Sequence, residues 1–421
     1  MTGAMTGGPR YVVIGAGLAG FRAAERLCEL GHGGRVTVVG AESHRPYNRP
    51  PLSKQVLAGT MRTKDLRLNA MAELDVVWRL GTRAVSLDPR RRVVRLPGRE
   101  ELPYDGLVIA TGMETRHLPG TPIHARSVWG LRTLEDATGL QHALVRATRV
   151  AIIGGGFIGC EAAASLRARA IMPTIIDLAP TLLHRVLGPT LGQAITNIHR
   201  DAGVQTRLGV SVAGWEPQRR GGWRLALSDD STVDADVVLV GIGTTATVDW
   251  LDGLGLDLSD GVVCDATCHV VGLDDVVACG DIARWPNDRF DTAPRRVEHW
   301  INAVEQARHA VDSLLVGRDR AAPFRPIPRF WSEQHGVRIQ AVGVPTLGPD
   351  VTIVDGLLAT SRRAIVTFGD KGRLMGAVAI NDPVKLIEYA KILEAQPPIV
   401  HPQLAVVSRS LGVERARLQA S

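Results

Sequence analysis

YVVIGAGLAG, residues 11–20, is the stretch from which the fold is read. Its first four residues suit a buried parallel strand, and Gly15-x-Gly17-x-x-Gly20 suits a turn that opens into a helix. The three glycines then differ in role. Gly15 allows the tight turn, Gly17 lets backbone approach a pyrophosphate, and Gly20 lets helix and strand pack closely. Ala16, Leu18 and Ala19 complete the turn, and the phosphate is expected on free N–H groups at the positive end of the helix. A glycine-rich turn without a ligand is the plain alternative to dinucleotide binding.

A second copy of the pattern lies about 140 residues on. Residues 149–153 read as a strand, Gly154-x-Gly156-x-x-Gly159 as the turn (with Phe157 and Ile158 inside it), and 160–170 as a helix. The next strand, 174–176, ends at Asp177, 18 residues past Gly159, where a carboxylate would hydrogen-bond a ribose 2′-hydroxyl and repel a 2′-phosphate. NADH is therefore expected over NADPH, with Arg185 able to blunt the preference. Two such units in one chain point to two dinucleotides. Glu161, near the start of the second helix, reads either as an acid favouring a helix N-terminus or as a carboxylate near a nicotinamide.

Around these units the sequence supplies further candidates. After the first helix (21–30) and second strand (35–39), the nearest acid for a ribose is Glu42, with Ala41 before it. The segment HRPYNRPPLSK, 44–54, has too many prolines for helix or central strand. It reads as a stiff loop holding Arg49, Pro51 and Lys54 in place, the two cations toward a pyrophosphate and a flat ring system. Three strand ends, LVIATG (Ala110, Thr111, Gly112), VVLVGIG (Gly241, Gly243) and VVACGD (Gly280, Asp281), bring small residues or an acid to the ligand side of a parallel sheet. A ligand role is favoured for Asp281, the alternative being a cap on a helix running from Ile282. A helix is expected over 296–315, opening with Glu298, His299 and Trp300, and 323–328 reads as a proline-rich linker. Beyond it come strands at 339–342, 365–368 and 374–380 and a helix at 383–393, with the adjacent aromatics Phe330 and Trp331 set either in a core or over a ring.

Composition narrows the class. At 421 residues, 45% hydrophobic and 22% charged, the chain suits a globular protein of two or three domains. No apolar run reaches the ~18–20 residues of a membrane span, and residues 1–10 lack the apolar region of a secretory signal. Five cysteines, odd in number and without paired ligand spacing, indicate reduced structural thiols, a cytoplasmic setting and no metal site. The formal net charge of +6 suits an acidic partner. The longest basic run is three arginines, 90–92, and nucleic acid is not expected.

The order GAGLAG, RPYNRPPLSK, ATG, RTLEDA (132–137), GGGFIGCEAAA, GIG, ACGDIA, RVEHW and RFWSEQ resembles the FAD-dependent, NADH-oxidising ferredoxin reductases that serve bacterial oxygenases, a group similar to putidaredoxin and rubredoxin reductases. The resemblance implies an α/β fold of the glutathione-reductase-like class. It consists of an FAD domain in two segments (1–118 and 245–322), an NADH domain (119–244) and a C-terminal α+β domain (323–421). It implies non-covalent FAD on the first turn, NADH on the second, and Lys54 beside the isoalloxazine, paired with Glu161. It also implies Ala84 by the adenine, Arg132 near the ring, Asp281 on the ribityl chain, Trp300 at the pyrimidine edge and Trp331 over the ring. The expected acceptor is an acidic ferredoxin (2Fe–2S or 3Fe–4S) or a rubredoxin, and the expected state a monomer or weak homodimer. The chain departs from the family's pattern at Ala41, where an aspartate is common, and at Asp177, often a glutamate. Residues 50–53 (PPLS) stand where disulfide-reducing relatives carry cysteine, so electrons are expected to leave the flavin directly for an outside acceptor. The competing readings are an NADH oxidase, a quinone- or monodehydroascorbate-type reductase, and a non-enzymatic redox-signalling flavoprotein. Arg284, Arg289, Arg295, Arg296 and Arg338 are candidates for a basic docking surface.

Overall fold

The computed structural model describes residues 7–68, 73–219, 221–356 and 362–399. The start of the leader and the end of the expected C-terminal domain lie outside the described residues. Three five-stranded sheets organise the chain. The first is parallel throughout, in the order Val276–Ala278, Gly106–Ile109, Tyr11–Ile14, Val36–Gly40, Val77–Leu80. Its central strand is buried at every position, as a strand covered on both faces must be. The second sheet repeats the plan, in the order Gln205–Leu208, Met172–Asp177, Arg149–Ile153, Val237–Val240, Val128–Trp129. The third is antiparallel, in the order Arg329–Gln334, Val337–Gly343, Arg373–Ile380, Ala364–Asp370, Asp350–Asp355, and carries the helix Pro383–Ala395.

The first sheet draws strands from both sides of the second unit. The chain leaves through Met113–Thr115 and returns through Thr244–Ala246, and these two crossings pair antiparallel with each other. Both glycine turns pack as their residue types demand. Gly15 has φ +116°, and a Cβ there would lie 2.0 Å from the Ala110 carbonyl oxygen; at Gly20 it would lie 1.8 Å from that of Gly15. The second turn matches, with Gly154 against Gly241 O at 2.2 Å and Gly159 against Gly154 O at 2.0 Å. Gly17 and Gly156 are different: a Cβ on either meets nothing within 4 Å, so these two face open space.

Several expectations are corrected. The second-turn helix begins at Phe157 and ends at Arg167, so Glu161 is outside its first turn and the favourable helix-end reading fails. Asp281 caps no helix. It lies in the single turn Gly280–Ile282 and the chain continues as the strand Ala283–Asn287. There Pro286 would cost a helix its hydrogen bond, and Ala283 and Trp285 turn inward with period two. The helix expected from 296 starts at Trp300, because Arg296 holds the preceding segment extended through Asp260, Glu298 and the Asp281 carbonyl. Among the described residues no helix is long and apolar enough to cross a membrane.

Candidate functional site

A cavity of about 520 Å³ opens at the carboxyl ends of the first sheet, where parallel sheets receive ligands. Gly15, Ala16, Gly17, Leu18 and Ala19 form one wall, and Ala110, Thr111 and Gly112 face them from the neighbouring strand end. Ala41, Glu42 and Ala84 line the end beyond Val36–Gly40. The second unit contributes Phe157, Ile158 and Glu161, and the third contributes Phe330 and Trp331. Gly20, Pro51 and Gly280 do not reach the cavity. Gly20 packs under the turn, Pro51 is buried in its loop, and Gly280 sits beneath Ala19, its N–H donating to Gln306 Oε1 at 3.0 Å.

The proline-rich loop arranges a charged cluster at the Glu42 end. Arg49 pairs with Glu42 and donates to the Arg132 carbonyl at 2.6 Å and to Tyr47 Oη at 3.1 Å. Tyr47 donates to Glu42 Oε2 at 2.6 Å and accepts the Leu134 N–H at 2.9 Å, and burial pushes its hydroxyl pKa well up. Glu42 therefore faces the cavity as a carboxylate already held by two donors. Tyr47 escaped the sequence reading, since an aromatic in a proline-rich loop carries no period to mark it. RTLEDA proves to be a capping box: Thr133 Oγ1 accepts the Asp136 N–H at 3.1 Å, and Asp136 accepts the Thr133 N–H at 2.8 Å. That cap fixes Arg132, which donates to Asp281 at 3.1 Å and to the Met113 carbonyl at 3.2 Å.

At the other end, Lys54 Nζ lies 2.7 Å from Glu161 Oε2, with the Glu161 side chain 5% exposed. The same oxygen accepts from Ser53 Oγ at 2.6 Å, and Oε1 accepts from Ser332 Oγ at 2.6 Å. Three donors, two from the first unit and one from the third, thus meet on one carboxylate of the second. Ser53 stands in the segment where a redox thiol was not found, and Ser332 follows the Phe330–Trp331 pair; neither had a sequence signal beyond its neighbours. Trp300 donates through Nε1 to Asn48 Oδ1 at 3.0 Å and lies 6.3 Å from Trp331, centroid to centroid. Glu298 pairs with Arg296 at the rim. Burial lowers the His299 pKa to about 4, the Asp281 carboxylate opposing.

The walls fit a flavin dinucleotide. A backbone cradle with open space at Gly17 suits a pyrophosphate, and a channel flanked by Trp300, Phe330 and Trp331 suits a flat ring. His299 Nδ1 and Trp250 Nε1, both on the cavity wall, are buried without a partner and await polar atoms. All five cysteines are free, and Cys279, which touches the cavity, is fully buried with its thiol pKa pushed up by desolvation. No metal-ligating cluster occurs among the described residues.

Apart from Phe157 and Ile158, the second-turn candidates form a separate group outside this cavity. Gly154, Gly156 and Gly159 lie at the end of Arg149–Ile153, with Gly241 against Gly154 and Gly243 (φ +104°) just beyond it. Asp177 accepts the N–H groups of Gly155 and Ala179, the latter at 2.6 Å, so its carboxylate is folded back onto the turn. Arg185 is exposed on the helix His184–Asp201. The candidate docking arginines have partners of their own. Arg284 pairs with Asp257, Arg295 with Asp291, and Arg296 with Asp260 and Glu298; Arg338 lies 3.8 Å from Glu333, and Arg289 donates to the carbonyls of Leu393 and Glu394. Arg284 and Arg296 are largely buried by these contacts, whereas Arg295 and Arg338 remain about half-exposed.

Residues 9–307 match the family model described as pyridine nucleotide-disulphide oxidoreductase, and residues 329–412 match that described as reductase C-terminal. The chain is 34% identical to the ferredoxin–NAD(+) reductase component of a p-cumate 2,3-dioxygenase system from Pseudomonas putida, covering 94% of this chain and 95% of that protein. It is 33% identical to putidaredoxin reductase of the same organism, covering 94% of each. Among solved structures it is similar to the reductase in a covalent putidaredoxin reductase–putidaredoxin complex, with a TM-score of 0.86, 30% identity, and coverage of 95% of this chain and 96% of that one. With both matched segments accounting for nearly its whole length, the chain belongs to the pyridine nucleotide-disulphide oxidoreductase family, in the form that carries a reductase C-terminal domain.

Proposed function

We propose that this protein is an NADH-dependent FAD reductase that passes electrons to a ferredoxin-type iron–sulfur protein supplying a bacterial oxygenase. The observation that carries the reading is the cavity itself. It is a cradle for one dinucleotide that meets the second glycine unit at Glu161 and has no thiol pair on its walls. The named relatives, reductase components of oxygenase systems, support the same acceptor. When bound, FAD supplies the chemistry that joins a two-electron donor to one-electron acceptors.

The chain's residues bind and orient. The first turn would hold the FAD pyrophosphate, Arg132 and Asp281 its linking chain, and Trp300 and Trp331 its ring. Lys54 and Glu161 would close the nicotinamide side of the site, and the second turn with Asp177 would hold NADH. Asp177 must swing from the turn, or share its remaining lone pairs, to meet a ribose. The division 1–118, 119–244, 245–322 and 323–421, a cytoplasmic setting and an acidic carrier belong to the same proposal.

The test is anaerobic reduction by NADH and by NADPH, followed by cytochrome c reduction with a panel of ferredoxins. Rapid NADH reduction and ferredoxin-dependent turnover are expected. Fast NADH oxidation without any ferredoxin would favour an oxidase or quinone reductase instead.

A further inference from the structure

Glu161 is the end of a longer chain of side chains. Ser332 Oγ, which donates to Glu161 Oε1, accepts from Gln334 Nε2 at 3.0 Å. Gln334 Oε1 lies 2.9 Å from His199 Nε2, and His199 Nδ1 lies 3.1 Å from His335 Nε2. Ser332, Gln334 and His199 are 0%, 2% and 0% exposed. The chain crosses units: His199 is on the helix His184–Asp201 of the second, Ser332 and Gln334 on the strand Arg329–Gln334 of the third, and His335 in the turn after that strand.

Its direction follows from the carboxylate. A carboxylate oxygen only accepts, so Ser332 must give it its one proton and must itself accept from the Gln334 amide N–H. Gln334 then presents its carbonyl oxygen to His199, whose Nε2 must carry hydrogen. A neutral His199 leaves Nδ1 bare, and His335 Nε2 must donate to it. Burial lowers the His199 pKa to about 4, which keeps the ring neutral. Arg167 and Arg362, the charged groups acting on His335, join burial in lowering its pKa as well. Four hydrogen bonds thus run in one sense, from a half-buried histidine to the carboxylate that holds Lys54.

We propose that His335, His199, Gln334 and Ser332 are positioning residues for NADH oxidation, a one-way relay that fixes Glu161 against Lys54 only when the second and third units are correctly seated on each other. This rests on the reading of the site given above. Each link leaves its neighbour no alternative orientation, so removing one donor frees the whole chain rather than a single bond.

The first test needs no turnover. In holoprotein labelled with ¹⁵N-histidine, His199 should show the neutral Nε2–H tautomer at pH 7; an Nδ1–H tautomer or an imidazolium there overturns the relay. The second is anaerobic stopped flow on holoprotein. Gln334→Glu, similar in size but unable to donate to Ser332, and Ser332→Ala should each lower the limiting rate of flavin reduction about tenfold, the scale of one hydrogen bond to a charged group. The NADH dissociation constant should stay within about twofold. Ser332→Thr, which keeps the hydroxyl, should recover most of the lost rate, a result a purely structural defect would not give. Wild-type protein that NADH reduces, alongside variants equally fast, sinks the relay alone. Wild-type protein that NADH does not reduce sinks the functional reading and the relay's role with it.

Discussion

Glu161 is held on both oxygens, by Ser332 on one and by Ser53 and Lys54 on the other. A carboxylate this buried tolerates its charge only while its donors stay in place, because stripping one partner from a buried pair costs about 3–5 kcal/mol. Lys54→Ala is therefore expected to retain FAD, since the first turn is untouched, but to melt at a lower temperature. It should also slow anaerobic flavin reduction by NADH at least about tenfold, as one lost charged partner implies; an unchanged rate would remove Lys54 from the site. His199 makes a second prediction. Its folded pKa, lowered by burial to about 4, lies below the ~6.5 of the unfolded chain. Above pH 6.5 both states are neutral and the ring contributes no pH dependence. As pH falls, the unfolded state takes up a proton that the folded state refuses, so stability is lost between about 6.5 and 4, by up to about 3 kcal/mol. Melting at pH 7 and pH 5 should show that loss, and His199→Gln, though less stable overall, should show a smaller one. Equal pH slopes in the two proteins would count against it.

The two glycine turns separate a folding role from a binding role within one element. A methyl at Gly15 would fall 2.0 Å from the Ala110 carbonyl and require a positive φ, so Gly15→Ala should destabilise the apoprotein. A methyl at Gly17 meets no protein atom within 4 Å. Gly17→Ala should therefore leave apoprotein melting within about 1 kcal/mol of wild type, a helix-boundary Gly-to-Ala exchange being worth no more. It should nonetheless weaken FAD binding by tenfold or more in a flavin-release titration, and equal affinity would show that the pyrophosphate does not pass over Gly17. These turns were legible in the sequence because strand, glycine spacing and helix are contiguous and each glycine's role is set by its immediate neighbours. The same holds for RPYNRPPLSK, whose prolines fix the backbone that carries Arg49 and Lys54. What stayed hidden is non-local or aperiodic. Ser332 is 171 residues from Glu161 and Gln334 is 135 from His199, separations at which no local pattern survives. The edge strand Asp350–Asp355 is exposed along its whole length, so no alternation marked it. Glu42 was visible as an acid near a strand end, but its capture by Tyr47 and Arg49 was not.

At the scale of the whole molecule, the first parallel sheet points its carboxyl ends at the cavity, the second unit reaches it through Phe157, Ile158 and Glu161, and the antiparallel sheet contributes Phe330 and Trp331. The cysteines are free and offer no internal relay, so electrons from NADH are expected to leave the flavin directly for an outside carrier. A carrier protein is then expected to dock on the surface around Trp331. Of the candidate docking arginines, Arg284 is paired with Asp257, Arg295 with Asp291, and Arg296 with Asp260 and Glu298, and such pairs present little net charge to a partner. Attraction for an acidic carrier is then expected from the overall excess of 49 basic over 43 acidic side chains and from exposed cations such as Arg329, two residues before Trp331 on the same strand. Long-range attraction of this kind is screened within ~8 Å at physiological salt, whereas hydride transfer inside a closed site is not. Ferredoxin-dependent cytochrome c reduction should accordingly fall several-fold between about 20 and 300 mM salt, while anaerobic flavin reduction by NADH stays constant. Arg329→Glu should lower the first rate at low salt, converge with wild type at high salt, and leave the second untouched. A carrier rate indifferent to both salt and Arg329 would mean that docking here is apolar, centred on Trp331 rather than steered by charge.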